Sequence, residues 1–474
     1  MNNAAANRTG TTTFADEAAI KAEVAKQFPD MVAVLQDLVS IPSVSAAAFD
    51  QTHVQTSATA VADLFRHAGF SDVQILRAPK PAKPGENGEP PLGAPAVVAR
   101  RPAPAGAPTI MLYAHHDVQP PGEGWDTAPF EPIIKGERMY GRGTADDKPG
   151  ITVHLGAIKA LQALGKLPEV GITVFIEGEE EIGSPSFKNF LHKYSDLLQA
   201  DVIVVADLGN WQVGVPGLTT SLRGLVDGTV EVQALGHAIH SGQFGGPILD
   251  ANILLARLIS TLHDDKGNVA IAGLYEGKPP SVDYTEADYR ADSSLLDSVQ
   301  LAGEGSIASR LWTKPAVAVL GIDATPVATA ANVIMPKVTA KISLRIPAGQ
   351  NPPAAAAALE KHLLENAPFG AKVTWTLNEA GNPFQTPDDS PAMQLARDSF
   401  AAAYGVPSVD MGAGGSIPFI AELLEVFPNA DILLTGVEDP DSRAHGANES
   451  VHLGDLEKAI VAEALLIQGI AGLK

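Results

Sequence analysis

Residues 14–39 and 51–69 alternate apolar and charged side chains at helical spacing, and the second stretch ends on a glycine suited to a C-cap. Both are expected as surface helices. From residue 96 the pattern changes to compact apolar runs at 96–99, 110–114, 171–176, 202–206 and 432–434. Several are nearly uninterrupted and rich in β-branched residues, as strands covered on both faces are, and helical segments such as 151–164 separate them. The pattern predicts an α/β fold, a mostly parallel mixed sheet flanked by helices. Residues 78–95, dense in Pro and Gly, are expected to form an exposed, mobile loop without a core.

The middle of the chain reads differently. Strand-like segments at 225–232, 338–346 and 372–377 accompany helical ones at 249–262 and 353–364, and the first sheet resumes near residue 432. That arrangement predicts an inserted α+β unit at 218–378 between the two parts of a larger domain, 1–217 and 379–474.

At 474 residues the chain exceeds what one hydrophobic core usually supports, which agrees with two domains. Its 33 basic against 55 acidic side chains leave a net charge of -22, which repels phosphate backbones and anionic lipid. Neither nucleic acid nor a membrane is expected as a partner. Residues 1–15 are polar, with no apolar signal core, and no later run approaches a membrane span. The absence of cysteine removes disulfides and thiol catalysis without fixing the compartment, so a cytoplasmic location is the default expectation.

Candidate chemistry follows the apolar runs. In Y-A-H-H-D-V-Q-P (113–120), residues two apart share a face of an extended strand, so Asp117 can orient the ring of His115 while His116 points away. G-R-G-T-A-D-D-K-P-G (141–150) lacks phosphate-loop spacing, and an aspartate ahead of the helix signalled by Pro149 is equally well read as an N-cap. E-G-E-E-E-I-G-S (177–184) sets adjacent carboxylates at a strand end, where a divalent cation would offset their repulsion; a solvated acidic turn is the ordinary alternative. Asp207 follows another apolar run, and His445 lies in R-A-H-G-A-N-E (443–449). G-A-G-G-S (412–416) offers a glycine turn suited to an anion.

Together these motifs resemble the M20 family of co-catalytic metallopeptidases, most closely its carnosinase-like and non-specific dipeptidase branch. The resemblance runs from about residue 39 to the C-terminus. It rests on H-x-D-V-Q-P, W-x-x-x-P-F-E-P (125–132), G-R-G-x-x-D-D-K, E-E-x-G-S, H-S-G-x-x-G-G (240–246), G-G-S-I-P (414–418) and A-H-x-x-N-E, in family order. It implies that Asp146 bridges two divalent metal ions, that His115 and Asp207 complete one site, and that Glu181 and His445 complete the other. Zinc is the expected metal, with manganese or cobalt as alternatives that a His and carboxylate ligand set does not separate. Two such ions, about 3.5 to 4 Å apart, would activate a bridging water and polarise the scissile carbonyl.

The resemblance also makes Glu180 the general base and Asp117 the orienter of His115. Glu179 stands where family members often carry an uncharged residue; the following I-G-S sets the register on Glu180 and Glu181. The inserted unit resembles a lid and dimerisation domain, in which His240 would donate to the tetrahedral oxyanion of the partner subunit's site in a homodimer, with Asn332 in the A-N-V-I-x-P segment. Arg345, Ser416 and the glycines Gly414 and Gly415 look like a clamp for a free α-carboxylate. The expected function is hydrolysis of dipeptides or short peptides. The alternatives are an N-acyl amino acid amidohydrolase on the same fold and, remotely, a non-catalytic binding protein that retains it.

Overall fold

The structure, a computed structural model, describes residues 12–82, 88–387, 389–415 and 418–473. The chain forms two compact units: the first runs through Thr219 and takes in Thr386–Met411 and the chain from Glu422, and the second comprises Thr220–Gln385 with Gly412–Ala421. The second unit thus continues past residue 378 and recruits a short stretch that hydropathy alone leaves with the final segment.

In the first unit the strand Thr109–His115 pairs in parallel with Gly171–Glu177 on one side and Val202–Val205 on the other. Asp431–Leu434 continues in parallel beside Val202–Val205, while Asp72–Leu76 and Ala96–Arg101 close the opposite edge antiparallel. The sheet is therefore mixed, with parallel strands at its centre. On the central strand Ile110, Leu112 and Ala114 join the core shared with the helices Lys148–Ala163 and Leu453–Ile470. Tyr113 turns to the other face, where it meets the rings of Phe175 and Phe187 edge-on at 5.6 and 6.2 Å. Coverage on both faces is why these strands read as unbroken apolar runs.

The helix Glu17–Val39 is amphipathic as its spacing predicts, burying Ile20, Val24, Met31, Leu35, Leu38 and Val39 in the main core and leaving its other face exposed. One expectation needs revision. The loop expected at 78–95 is tied down at its ends: Lys80 N–H donates to Pro91 O at 2.9 Å, Gly93 N–H to Ala78 O at 2.8 Å, and Ala78 is fully buried. Residues 83–87 of that loop lie outside the described residues.

The second unit is an antiparallel sheet in the order Ala316–Asp323, Lys337–Ile346, Gly224–Gln233, Lys372–Gly381. Val338, Ala340, Ile342, Leu344 and Ile346 enter a core shared with the helices Ala251–Ser260 and Pro352–Glu365. The alternate residues Thr339, Lys341, Ser343 and Arg345 take the opposite face of the strand, the alternation of a sheet covered by helices on one side. No helix among the described residues is long and apolar enough to cross a membrane.

Candidate active site

Parallel pairing brings three strand ends to one rim. His115 is in register with Glu177, and Tyr113 with Val205, so the segments that follow each strand start side by side. This is where open α/β sheets place their chemistry, because loops leaving parallel strands diverge and leave a crevice. His115 ends the central strand, Glu180 and Glu181 form a short 3-10 turn after the second, and Asp207 follows the third.

The side chains converge as their sequence order alone does not require. His115 Nδ1 donates to the Asp117 carbonyl at 3.0 Å, which turns Nε2 toward Asp146 Oδ1 at 2.9 Å and Asp207 Oδ1 at 3.5 Å. The other Asp146 oxygen, Oδ2, lies 2.9 Å from His445 Nε2, which is also 3.2 Å from Glu181 Oε2. One carboxylate thus faces two imidazoles, one oxygen to each. His115, Asp146 and Glu181 present ligand atoms all within 4.8 Å of one another, and so do His115, Asp147 and Asp207. Two imidazole nitrogens and a bridging carboxylate, with a further carboxylate on each side, fit a pair of divalent cations.

Several residues hold this arrangement in place. Asp117 is fully buried and accepts the backbone N–H groups of Glu180 and Glu181 at 3.2 and 3.1 Å, so one residue fixes His115 through its carbonyl and the acidic turn through its carboxylate. Gln119 donates its backbone N–H to Glu181 Oε1 at 3.0 Å and its side-chain amide to Glu181 Oε2 at 2.8 Å. Glu179 is engaged elsewhere: it accepts from Ala94 N–H at 2.9 Å and Ser186 N–H at 2.7 Å and is almost fully buried. That explains a third carboxylate in the run without a role among the ligands.

One residue escaped the sequence reading, and a second was left open between two roles. Glu449 is fully buried, with Oε1 accepting the N–H groups of Gly143, Ala145 and Asp146 at 3.0, 2.9 and 3.2 Å and Oε2 paired with Arg142. It clamps the loop that presents Asp146. Asp147 occupies the N-cap position of Lys148–Ala163 yet makes no side-chain cap bond. Its Oδ2 accepts His115 N–H at 3.2 Å, and its buried Oδ1 has no hydrogen-bond partner in the structure. The helix-start signal at Pro149 left this placement open, whereas the partners of a buried glutamate lie opposite it in space and leave no mark in spacing.

The electrostatics fit a cation-binding cluster. Burial pushes the Glu180 carboxyl up to about 8, aided by the Asp207, Asp117 and Glu181 carboxylates and only partly offset by His115. Burial likewise raises Glu181 and Asp207, and raises Asp147 well above the ordinary range. Contacts with Asp146 and Glu181 lift His445 to about 10. Burial opposes charge on His115, but Asp207 and contacts with Asp117 and Asp146 outweigh it and hold the ring well above its usual value. Carboxylates that resist ionisation together and imidazoles that retain protons beside them mark a site short of positive charge.

The remaining candidates lie in the second unit. His240 ends the short strand Ile239–His240, which pairs with Val333–Ile334, and Ser241 N–H donates to Asn332 O at 3.0 Å. The H-S-G and A-N-V-I segments are thereby brought together, with His240 exposed and its Nδ1 accepting Gly242 N–H at 3.0 Å. Arg345 stands across from Leu225 and Ala316 in its sheet. Beside it is Arg223, unremarked in the sequence: burial and the Arg345 charge lower its pKa to about 10, and its Nε donates to Gly414 O at 3.1 Å. Gly415 is exposed, and Ser416 lies outside the described residues.

A sequence profile described as peptidase family M20/M25/M40 matches residues 111–469. The chain is 37% identical over 369 residues to a cysteinylglycine-S-conjugate dipeptidase of Corynebacterium striatum, covering 76% of this chain and 80% of the relative. It is 28% identical over 454 residues to the Cys-Gly metallodipeptidase DUG1 of Candida albicans, covering 90% and 92%. Among solved structures, human carnosine dipeptidase 1 has the same fold, with a TM-score of 0.74 at 23% identity over 98% of this chain and 100% of that one.

Proposed function

Since the chain belongs to peptidase family M20/M25/M40, we propose that it is a two-metal dipeptidase, hydrolysing the peptide bond of dipeptides with a free C-terminal carboxylate. The observation that carries this reading is the single Asp146 carboxylate set between His115 and His445, with Asp207 and Glu181 on either side.

His115, Asp146 and Asp207 would hold one divalent cation and Asp146, Glu181 and His445 the other, zinc being our first choice and manganese or cobalt the alternatives. When bound, such ions supply a more acidic water and a polarised scissile carbonyl. Glu180, free of the clamps that hold Glu181 and Glu179, takes the proton from the attacking water and returns it to the leaving amine. The field that raises its pKa toward neutrality suits a group that must both accept and give a proton. Asp117 keeps the His115 Nδ1 side occupied, leaving Nε2 as the ligand nitrogen.

In the second unit we assign His240 to stabilise the oxyanion in the partner subunit of a homodimer, with Asn332 beside it. Arg345, joined by Arg223 and the Gly414–Gly415 turn that leads into Ser416, would bind the substrate carboxylate. Two neighbouring guanidiniums favour an anion. A cytoplasmic location completes the reading, on composition alone.

Metal analysis paired with a dipeptide panel, assayed separately with zinc, manganese and cobalt, tests the proposal. We expect about two metals per chain and cleavage of several dipeptides. Faster hydrolysis of N-acyl amino acids than of any dipeptide would instead place the chain with the amidohydrolases.

A further inference from the structure

Glu438 is a carboxylate that the chemistry above leaves unused. It lies between the strand Asp431–Leu434 and His445, on a segment zipped to the one that carries Asp207. Leu208 N–H donates to Thr435 O at 3.0 Å, Asn210 N–H donates to Glu438 O at 2.7 Å, and Gly209 and Glu438 form a parallel bridge. A Cβ placed on Gly209 would stand 3.3 Å from that of Glu438, so the approach is close just two residues beyond a candidate ligand. The Glu438 carboxylate makes no hydrogen bond or ion pair among the described residues. Its electrostatic neighbours are Asp146, Asp207 and Glu449, all of its own sign, and His445.

Both proposed cation positions are already supplied with ligands, so the metals do not call for this group. A carboxylate held among carboxylates is stabilised by a positive partner, and placing one beside a neutral acyl group would cost free energy. A dipeptide brings such a partner in its protonated α-amino group, which is carried on the Cα bonded to the scissile carbonyl. We infer that Glu438 receives the α-ammonium group of the substrate and restricts the site to dipeptides with a free amino terminus, against N-acyl amino acids. This rests on the dipeptidase reading and names its substrate class more narrowly.

The test compares Ala-Gly with propionyl-Gly, the same amide lacking only the ammonium, in the metal-loaded enzyme and its Glu438→Gln and Glu438→Asp variants. Propionyl-Gly is followed as a substrate, or as a competitive inhibitor where turnover is slow. Loss of one charge-assisted hydrogen bond should lower kcat/KM of Glu438→Gln on Ala-Gly by about 10- to 100-fold, chiefly through KM. The constants for propionyl-Gly, the metal content and the thermal midpoint should stay at wild-type values, and Glu438→Asp should recover part of the preference for Ala-Gly. Equal losses on both compounds, no loss on either, or departure of a metal from Glu438→Gln would each overturn the inference while leaving the dipeptidase reading intact. A wild-type enzyme that cleaves no dipeptide overturns both.

Discussion

Glu180 and Glu181 are adjacent and nearly alike in burial, yet their surroundings differ. Glu181 is gripped by Gln119 and faces His445, whereas no side-chain hydrogen bond holds the Glu180 carboxylate among the described residues. Glu180→Gln should therefore lower kcat by about 100-fold or more while the protein keeps its metals, because general-base catalysis contributes that much and the ligands are intact. Single-turnover kinetics with parallel metal analysis would show it, and full activity in this variant would remove Glu180 from the mechanism. The residues that converge on the rim were legible in the sequence because each sits in a short motif behind an apolar run. Glu449 and Glu438 were not, because a clamp and a substrate contact depend on what lies opposite in space. Asp147 was read as open between two roles, and only its missing cap bond separates them.

At the level of elements, the loop carrying Asp146 depends on Glu449, which accepts three of that loop's backbone N–H groups and neutralises buried Arg142. Glu449→Ala should weaken metal affinity by about 10- to 100-fold, as loss of a group that orients ligands commonly does. It should also lower the thermal midpoint, since buried Arg142 loses its ion-pair partner. Competition with a chelating dye would measure the first effect and calorimetry the second; unchanged affinity would limit Glu449 to a structural role. Gly178 offers a second test, because a Cβ there would meet Pro95 O at 2.4 Å and His116 Nε2 at 2.7 Å. Gly178→Ala should cost about 1 to 3 kcal/mol, read from denaturant midpoints. The central strands were predictable because burial on both faces leaves a continuous apolar signature. The hairpin Ile133–Lys135 and Arg138–Tyr140, which pairs with Ser450–His452, carries too few residues to show a period, and the ends of the 78–95 loop are held by each other and by Glu179 and Asn189, far away in sequence.

On the scale of the whole molecule, the charge of the site couples stability to pH. In protein stripped by a chelator, Glu180 keeps its proton up to about pH 8 when folded but loses it near 4.5 when unfolded, and His445 stays protonated to about 10 against 6.5. Between these limits the folded state binds more protons, so its stability must fall as pH rises. The thermal midpoint of chelated protein should decline from pH 6 to pH 9, whereas excess metal, whose binding displaces those protons, should flatten or reverse the trend. A rising midpoint in the chelated protein would contradict these assignments. Subunit exchange tests the proposed dimer: mixing inactive His240→Ala and Glu180→Gln proteins should restore about a quarter of the wild-type sites, since random pairing leaves one intact composite site in each hybrid. The division into two units was readable from the change in hydrophobic period, but the recruitment of Gly412–Ala421 was not, because no local pattern marks a segment that leaves one core for another. The proposed ligands run from His115 to His445, so the set spans most of the chain. A chain that a premature stop codon ends anywhere before residue 445, however well its early strands have formed, would lack an imidazole for the second cation, and hydrolytic activity would appear only once synthesis has passed that residue.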